Sequence, residues 1–175
     1  MKITRQLIDD IAEAEYTRQK YFQPDPPKPL PGPPATAAEL SRLESHLKTQ
    51  ELNFPAPYRR FLEVANGVEN FELNFSLLSA DEVRKPAIPG LQRGYPSLSR
   101  FIIGRSNSLE FLAFDPATLK KTNEMEVVWV SDDGEETRYD DFATFLAQHL
   151  EKLRADIKRE EADRQKISRK KKTKR

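Results

Sequence analysis

Apolar residues recur at helical spacing in four stretches and at strand spacing in several more. Ile3, Leu7, Ile8, Ile11 and Ala14 share one side of a helix predicted over residues 3–22, with Asp9, Asp10, Glu13 and Arg18 elsewhere on the wheel. Thr36 with Glu39 three residues on forms the capping-box pattern of a second helix, whose buried side carries Leu40, Leu43 and Leu47, followed by Leu52. Pro55 and Pro57 preset φ where a third begins. Tyr58, Phe61, Leu62 and Ala65 then give it one apolar face, and Asn66-Gly67 supplies a left-handed stop. A helix this short is unstable alone, so that face must lie on a sheet or on other helices. Residues 71–77 alternate strictly and predict one half-buried strand, after which Ser79 caps a helical turn. Residues 101–104 and 109–115 predict a hairpin; only Glu110 interrupts the second run, so both its faces are expected to be covered. Val127-Val128-Trp129-Val130 predicts a covered strand that returns through the turn signal Asp132-Asp133-Gly134 into residues 135–139. Asp140 or Asp141 caps the last helix, where Phe142, Phe145, Leu146, Leu150, Leu153 and Ile157 keep helical spacing with His149 inside the stripe.

Two stretches break these periods. Residues 23–34 hold seven prolines, which excludes helix and central strand and predicts an extended polyproline II spacer. Its P-x-x-P spacings follow from proline density alone. Residues 84–100 have no regular pattern; loops of that length often bind something or are disordered, and a tether to the core is the plainer reading here. Ile88, Leu91, Tyr95 and Leu98 fit the tether; Arg93 and Tyr95 fit contact with a partner. The expected organisation is an N-terminal amphipathic helix (1–22), the spacer (23–34), an α+β domain (35–157) and a basic tail (158–175) fraying from a charged rod.

Composition then narrows the chemistry. The 175 residues contain no cysteine, so disulfides, thiolate nucleophiles and thiolate metal sites are excluded. The start reaches Asp9 and Asp10 before any signal-length apolar run develops, and no stretch reaches membrane-spanning length, so a cytoplasmic address without membrane association is expected. The net charge of +1 conceals an asymmetry. Residues 151–175 carry 12 Lys/Arg against 5 Asp/Glu, whereas residues 35–150 carry 12 against 18. His46 and His149 lie far apart, and no carboxylate stands at metal-ligand spacing with His46. Asp132/Asp133 and Asp140/Asp141 sit where turn and cap chemistry already account for them. No catalytic, metal or cofactor site is therefore expected.

Four segments carry a family resemblance in order. They are Thr36-Ala37-Ala38-Glu39-Leu40 through Leu43-Glu44; Phe54-Pro55-Ala56-Pro57-Tyr58-Arg59-Arg60-Phe61-Leu62 ending in Asn66-Gly67; Ile102-Ile103-Gly104 through Leu112-Ala113-Phe114-Asp115; and Val127-Val128 through Asp141-Phe142-Ala143-Thr144-Phe145-Leu146. Together they resemble the SUKH superfamily, the Smi/Knr-like domain, across roughly residues 35–150. Val68 stands where a second glycine is usual, and Asp141 where serine is common. The resemblance implies a single α+β domain, with a curved mixed or antiparallel sheet packed by helices, that binds rather than catalyses. Bacterial members resemble immunity proteins that neutralise polymorphic toxins, many of them nucleases; fungal relatives act as regulatory scaffolds. The shared motif residues look structural, so the resemblance transfers no site. An acidic surface suits steering of a basic nuclease, and strand ends and turns make Glu69, Glu72, Asp132, Asp133, Glu135 and Glu136 the candidate contacts, beside Arg93 and Tyr95. The alternative is a regulatory adaptor whose basic tail associates with nucleic acid through phosphate charge alone, since the tail has no aromatic residue to stack on bases.

Overall fold

The computed structural model describes residues 2–85, Tyr95, Leu98, residues 101–107 and residues 109–172, the last five by their backbone. Arg93, Ile88 and Leu91 lie outside the described residues. Helix α1 (Arg5–Gln19) leads through β1 (Leu30–Pro31) to α2 (Ala37–Thr49) and α3 (Ala56–Val64). Strands β2 (Val68–Glu72) and β3 (Phe75–Leu77), the turn α4 (Ala80–Val83), and strands β4 (Ile102–Ser106) and β5 (Phe111–Phe114) follow. A 3₁₀ turn (Pro116–Thr118), β6 (Val127–Val130), β7 (Glu136–Tyr139) and the long α5 (Phe142–Lys172) complete the order. Among the described residues, seven strands form one antiparallel meander in sequence order, β1 to β7.

The predicted caps are formed. Thr36 and Ser79 both make complete capping boxes, with Glu39 and Glu82. Of the two candidates for the last helix, Asp141 is the cap: its Oδ1 accepts from Thr144 N at 2.7 Å. Tyr58, fully buried, centres the main core. Its ring lies within 6.3 Å of Phe54, Phe61, Phe101, Phe114 and Phe142, which joins α3 to β5 and α5. On the other face of the sheet Leu78, Leu98, Ile102, Phe111, Ala113, Val128 and Val130 form a second cluster with Tyr95 against it. β5 is accordingly buried at all four positions, as its unbroken apolar run predicts.

The structure departs from expectation at three places. Residues 71–77 are two strands, because Leu73 and Asn74 form a two-residue turn that pairs Glu72 with Phe75. Asn74 takes φ 63° there, while Leu73 points to solvent and preserves the alternation that hid the turn. The helix α3 ends in extended backbone at Ala65, and the left-handed residue comes two positions later, at Gly67 (φ 88°). The proline-rich segment is also stitched into the sheet. Leu30 and Pro31 pair with Glu69 and Val68, Gly32 N donates to Gly67 O at 3.0 Å, and Asn66 N donates to Pro33 O at 2.9 Å. Prolines are tolerated there because β1 is an edge strand with few ladder bonds to donate.

Helix α1 lies on this same body. Ile3, Ile8 and Ile11 join the main core, and Arg5 reaches back to Gly32 O at 3.0 Å. α1 and α5 run in the same direction, since Asp10 meets Arg154 and Tyr21 meets both Glu161 and Arg164. From Arg164 to Lys172 the helix continues about 12 Å further, at 1.5 Å per residue.

Candidate partner-binding rim

A meander places alternate turns at the same end of its sheet. Here Phe75 pairs with Ser106 and Phe111 with Val130, so the β2–β3, β4–β5 and β6–β7 turns share one end. At about 4.8 Å between strands, their tips span roughly 20 Å. The first tip presents Leu73, 47% exposed, and the second Leu109, 62% exposed. The third carries Asp132, Asp133 and Glu135, all exposed. This third tip is rigid for local reasons: Ser131 N donates to Glu135 O at 3.0 Å, Gly134 takes φ 83°, and Asp133 accepts from the Ser131 hydroxyl. Those hydrogen bonds hold the Asp133 carboxyl below its ordinary range.

Of the residues expected to contact a partner, Asp132, Asp133, Glu135, Glu136 and Tyr95 are brought together. The Tyr95 ring packs edge-on against Phe111 at 5.3 Å, and any side chain at Gly134 would come within 3.4 Å of the Tyr95 hydroxyl. Tyr95 is thus half-buried against the second core cluster while its hydroxyl reaches the acidic turn. Glu136 is tied to Arg138 at 3.0 Å, and the same guanidinium holds Asp115 at 2.9 Å and Glu126 at 3.1 Å. One cation among three carboxylates leaves this edge of the sheet acidic. Glu69 lies apart, on β2 opposite Leu30 and five strands from β7.

Glu72 corrects the expectation that a strand end exposes its carboxylate. Its side chain turns inward between α1 and α5, where Oε1 lies 3.4 Å from His149 Nδ1. Burial, with Glu15 close by, pushes its carboxyl up to about 7. Burial likewise drives His149 down to about 3, with Lys152 and Arg18 acting in the same direction. Both shifts favour the uncharged forms, a protonated acid beside a neutral imidazole, over an ion pair, and the imidazole stacks on Phe71 at 4.6 Å. Beneath it Glu15 is completely buried, clamped by Arg18 at 2.8 and 2.9 Å and by Gln19 Nε2 at 2.7 Å. Sequence reasoning did not single out this network. Its one signal was Glu15 and Gln19 lying one and two turns beyond Ile11 on the helical wheel.

Nearby, Glu110 accepts from Trp129 Nε1 at 2.7 Å, and Trp129 stacks on Phe75 at 4.4 Å. Burial raises the Glu110 carboxyl, with Asp132 adding to the effect. That proximity ties the second hairpin tip electrostatically to the third. His46 meets Gln50 at 2.8 Å, an interaction within α2. Among the described residues, no group of three His, Cys, Asp or Glu is arranged to hold a metal ion. None of the described helices is long and apolar enough to cross a membrane.

No curated protein matches the chain. A family model does match, over residues 34–148, the span from the α2 cap through most of the aromatic stripe of α5. It covers α2, α3 and strands β2 to β7, and so includes all three hairpin tips. The chain belongs to the SMI1 / KNR4 family (SUKH-1).

Proposed function

We propose that this protein is an immunity-type binding protein that uses the hairpin rim to grip and neutralise a basic toxin domain, a nuclease being the best-suited class. The observation that supports it is the convergence, at one end of the sheet, of a rigid acidic turn with two exposed leucines. Carboxylates steer a basic partner into place, and apolar tips supply contact area once it arrives. Binding without catalysis fits the same geometry: Asp133 and Asp141 are occupied by turn and cap hydrogen bonds, and Glu72 is half-buried against His149.

The test is affinity capture from the native cell with the full chain, beside a variant carrying Asp132→Lys, Asp133→Lys and Glu135→Lys. The expected result is capture of a basic protein that arrests growth when expressed alone. Co-expression of the wild-type chain restores growth and the charge-reversed chain does not. Equal rescue by both chains overturns the reading.

A second reading is favoured by the run of α5 beyond the body. The helix carries residues 165–172 past its anchor at Tyr21, a stretch in which five of eight residues are Lys or Arg. As a regulatory adaptor, the chain would hold nucleic acid there by phosphate charge. Such binding falls steeply between low and physiological salt; gel-shift affinity unchanged on deleting residues 158–175 removes this option.

A further inference from the structure

Between the first and second hairpin tips a polar pocket of about 230 Å³ opens, with Arg105 of β4 in its lining. Arg105 stands directly opposite Ser76 of β3. Phe75 and Leu77 enter the main core, so Ser76 and Arg105 belong to the other face of the sheet, beside the second cluster. Arg105 is half-buried there, and among the described residues its guanidinium has no partner. Every other arginine whose side chain is described has a carboxylate or a carbonyl to bind. Glu82 lines the same pocket but is already taken: its Oε2 accepts from Ser79 N at 2.9 Å and from the Ser79 hydroxyl at 2.8 Å. Three more lining residues carry uncommitted donors. The side-chain amides of Asn70, Asn74 and Asn107 make no hydrogen bond among the described residues, and Asn74 and Asn107 are exposed. The Ser76 hydroxyl accepts from Asn70 N at 3.1 Å, which leaves its own proton to donate.

A free guanidinium ringed by amide and hydroxyl donors is a receptor for an oxyanion, and charge decides which one. A phosphate dianion would find one cation for two charges, with the Glu82 carboxylate beside it. A carboxylate matches a single guanidinium in charge, and its two oxygens match the fork in geometry. No aromatic ring lines the pocket to stack on a base. We propose that this pocket receives a carboxylate of the partner protein, an aspartate or glutamate side chain held by the fork of Arg105 and by the amides of Asn70, Asn74 and Asn107. That assignment rests on the reading that the rim meets a protein, and it adds register. Attraction to the acidic third tip alone leaves a basic partner free to slide, whereas an acid on its surface fits at one place.

The first probe is sodium acetate, titrated at constant ionic strength into the isotope-labelled full chain and followed by NMR, with inorganic phosphate and sodium chloride as comparisons. The Arg105 Nε–H signal and the side-chain amide signals of Asn70, Asn74 and Asn107 are expected to move together and to saturate with acetate, and not with chloride. Arg105→Gln has no internal partner to lose, so it should keep the thermal midpoint while weakening acetate binding about tenfold or more. No saturable shift, or the same titration in Arg105→Gln, overturns the proposal, and so does phosphate binding more tightly than acetate. A second measurement separates a partner's side chain from a free carboxylate: Arg105→Gln should also lower affinity for the captured partner about tenfold. Undiminished partner affinity with acetate binding lost makes the ligand a free carboxylate and overturns the assignment to the partner. The Asp132/Asp133/Glu135 charge reversal is expected not to weaken acetate binding. Acetate failure with capture still lost on charge reversal sinks this inference alone; capture equal across every variant sinks the rim as well.

Discussion

Tyr58 shows how much rests on one side chain. It is fully buried among five aromatic rings, and its hydroxyl makes a long contact, 3.4 Å, to Leu78 O. Tyr58→Ala is expected to cost about 3–5 kcal/mol, the range for deleting a large buried ring, and denaturant titration reads it directly. Glu72 makes the opposite kind of prediction, one that changes with pH. Its folded-state pKa is raised from 4.5 to about 7, so the folded protein holds a proton that the unfolded chain has released between those values. Stability from this group is fully present below pH 4.5 and is lost as pH rises through 7. Glu72→Gln imitates the protonated acid. It is expected to stabilise the fold by about 2–3 kcal/mol at pH 8 and by nothing near pH 4. His149 acts in reverse: its pKa is lowered, so its contribution is present above 6.5 and is lost as pH falls toward 3. Between pH 4.5 and 6.5 the two slopes oppose each other, and a flat stability profile is expected there in the wild type. A steep profile in that window would contradict the two opposed shifts.

At the scale of elements, the junction between α3 and β2 is closely constrained. Gly67 sits at φ 88° with no room for a Cβ, which would fall 2.9 Å from both Leu77 O and Ser79 N. Neighbouring Asn66 binds two other elements, accepting from Ala80 N at 2.8 Å and donating to Glu39 at 3.3 Å. Gly67→Ala is therefore expected to cost more than the ~1 kcal/mol of a left-handed alanine alone, because backbone must also move. A midpoint drop comparable to that of an ordinary surface substitution would contradict the argument. This junction also shows what local pattern conveys. Thr36/Glu39 and Ser79 were legible as caps, because a cap is settled within three positions, whereas the left-handed residue read as the stop of α3 falls two positions beyond its extended end at Ala65. The turn at Leu73-Asn74 was not legible. A leucine at its tip kept the period intact, and only the antiparallel pairing of Glu72 with Phe75 separated the two strands.

For the whole molecule, the question is where the folding unit begins. The family model starts at residue 34, yet Ile3, Ile8 and Ile11 are buried in the same core as Leu150 and Leu153. Removing residues 1–34 uncovers those leucines and strips β1 from the sheet. Three buried isoleucines alone amount to about 5 kcal/mol, a large share of a typical domain's 5–15 kcal/mol. The isolated 35–157 segment is expected to unfold at a much lower temperature than the full chain, by calorimetry, or to aggregate. A segment as stable as the full chain would show α1 to be an accessory. The proposed rim belongs to the same scale: a meander gathers three turns spaced along some sixty residues.

Taken alone, the sequence determined the caps, the apolar faces of the helices, the covered central strands, the acidic body with its basic end, and the family. Each is written in neighbours a few positions apart or in composition, and local chemistry suffices to read it. Only the tertiary structure decided that the proline segment closes the sheet, that Glu72 turns inward beside His149, and that Leu73, Leu109 and the acidic turn share one rim. Those outcomes depend on which strand lies beside which. A long-range pairing is selected by total burial across the molecule, and no single stretch of chain records it.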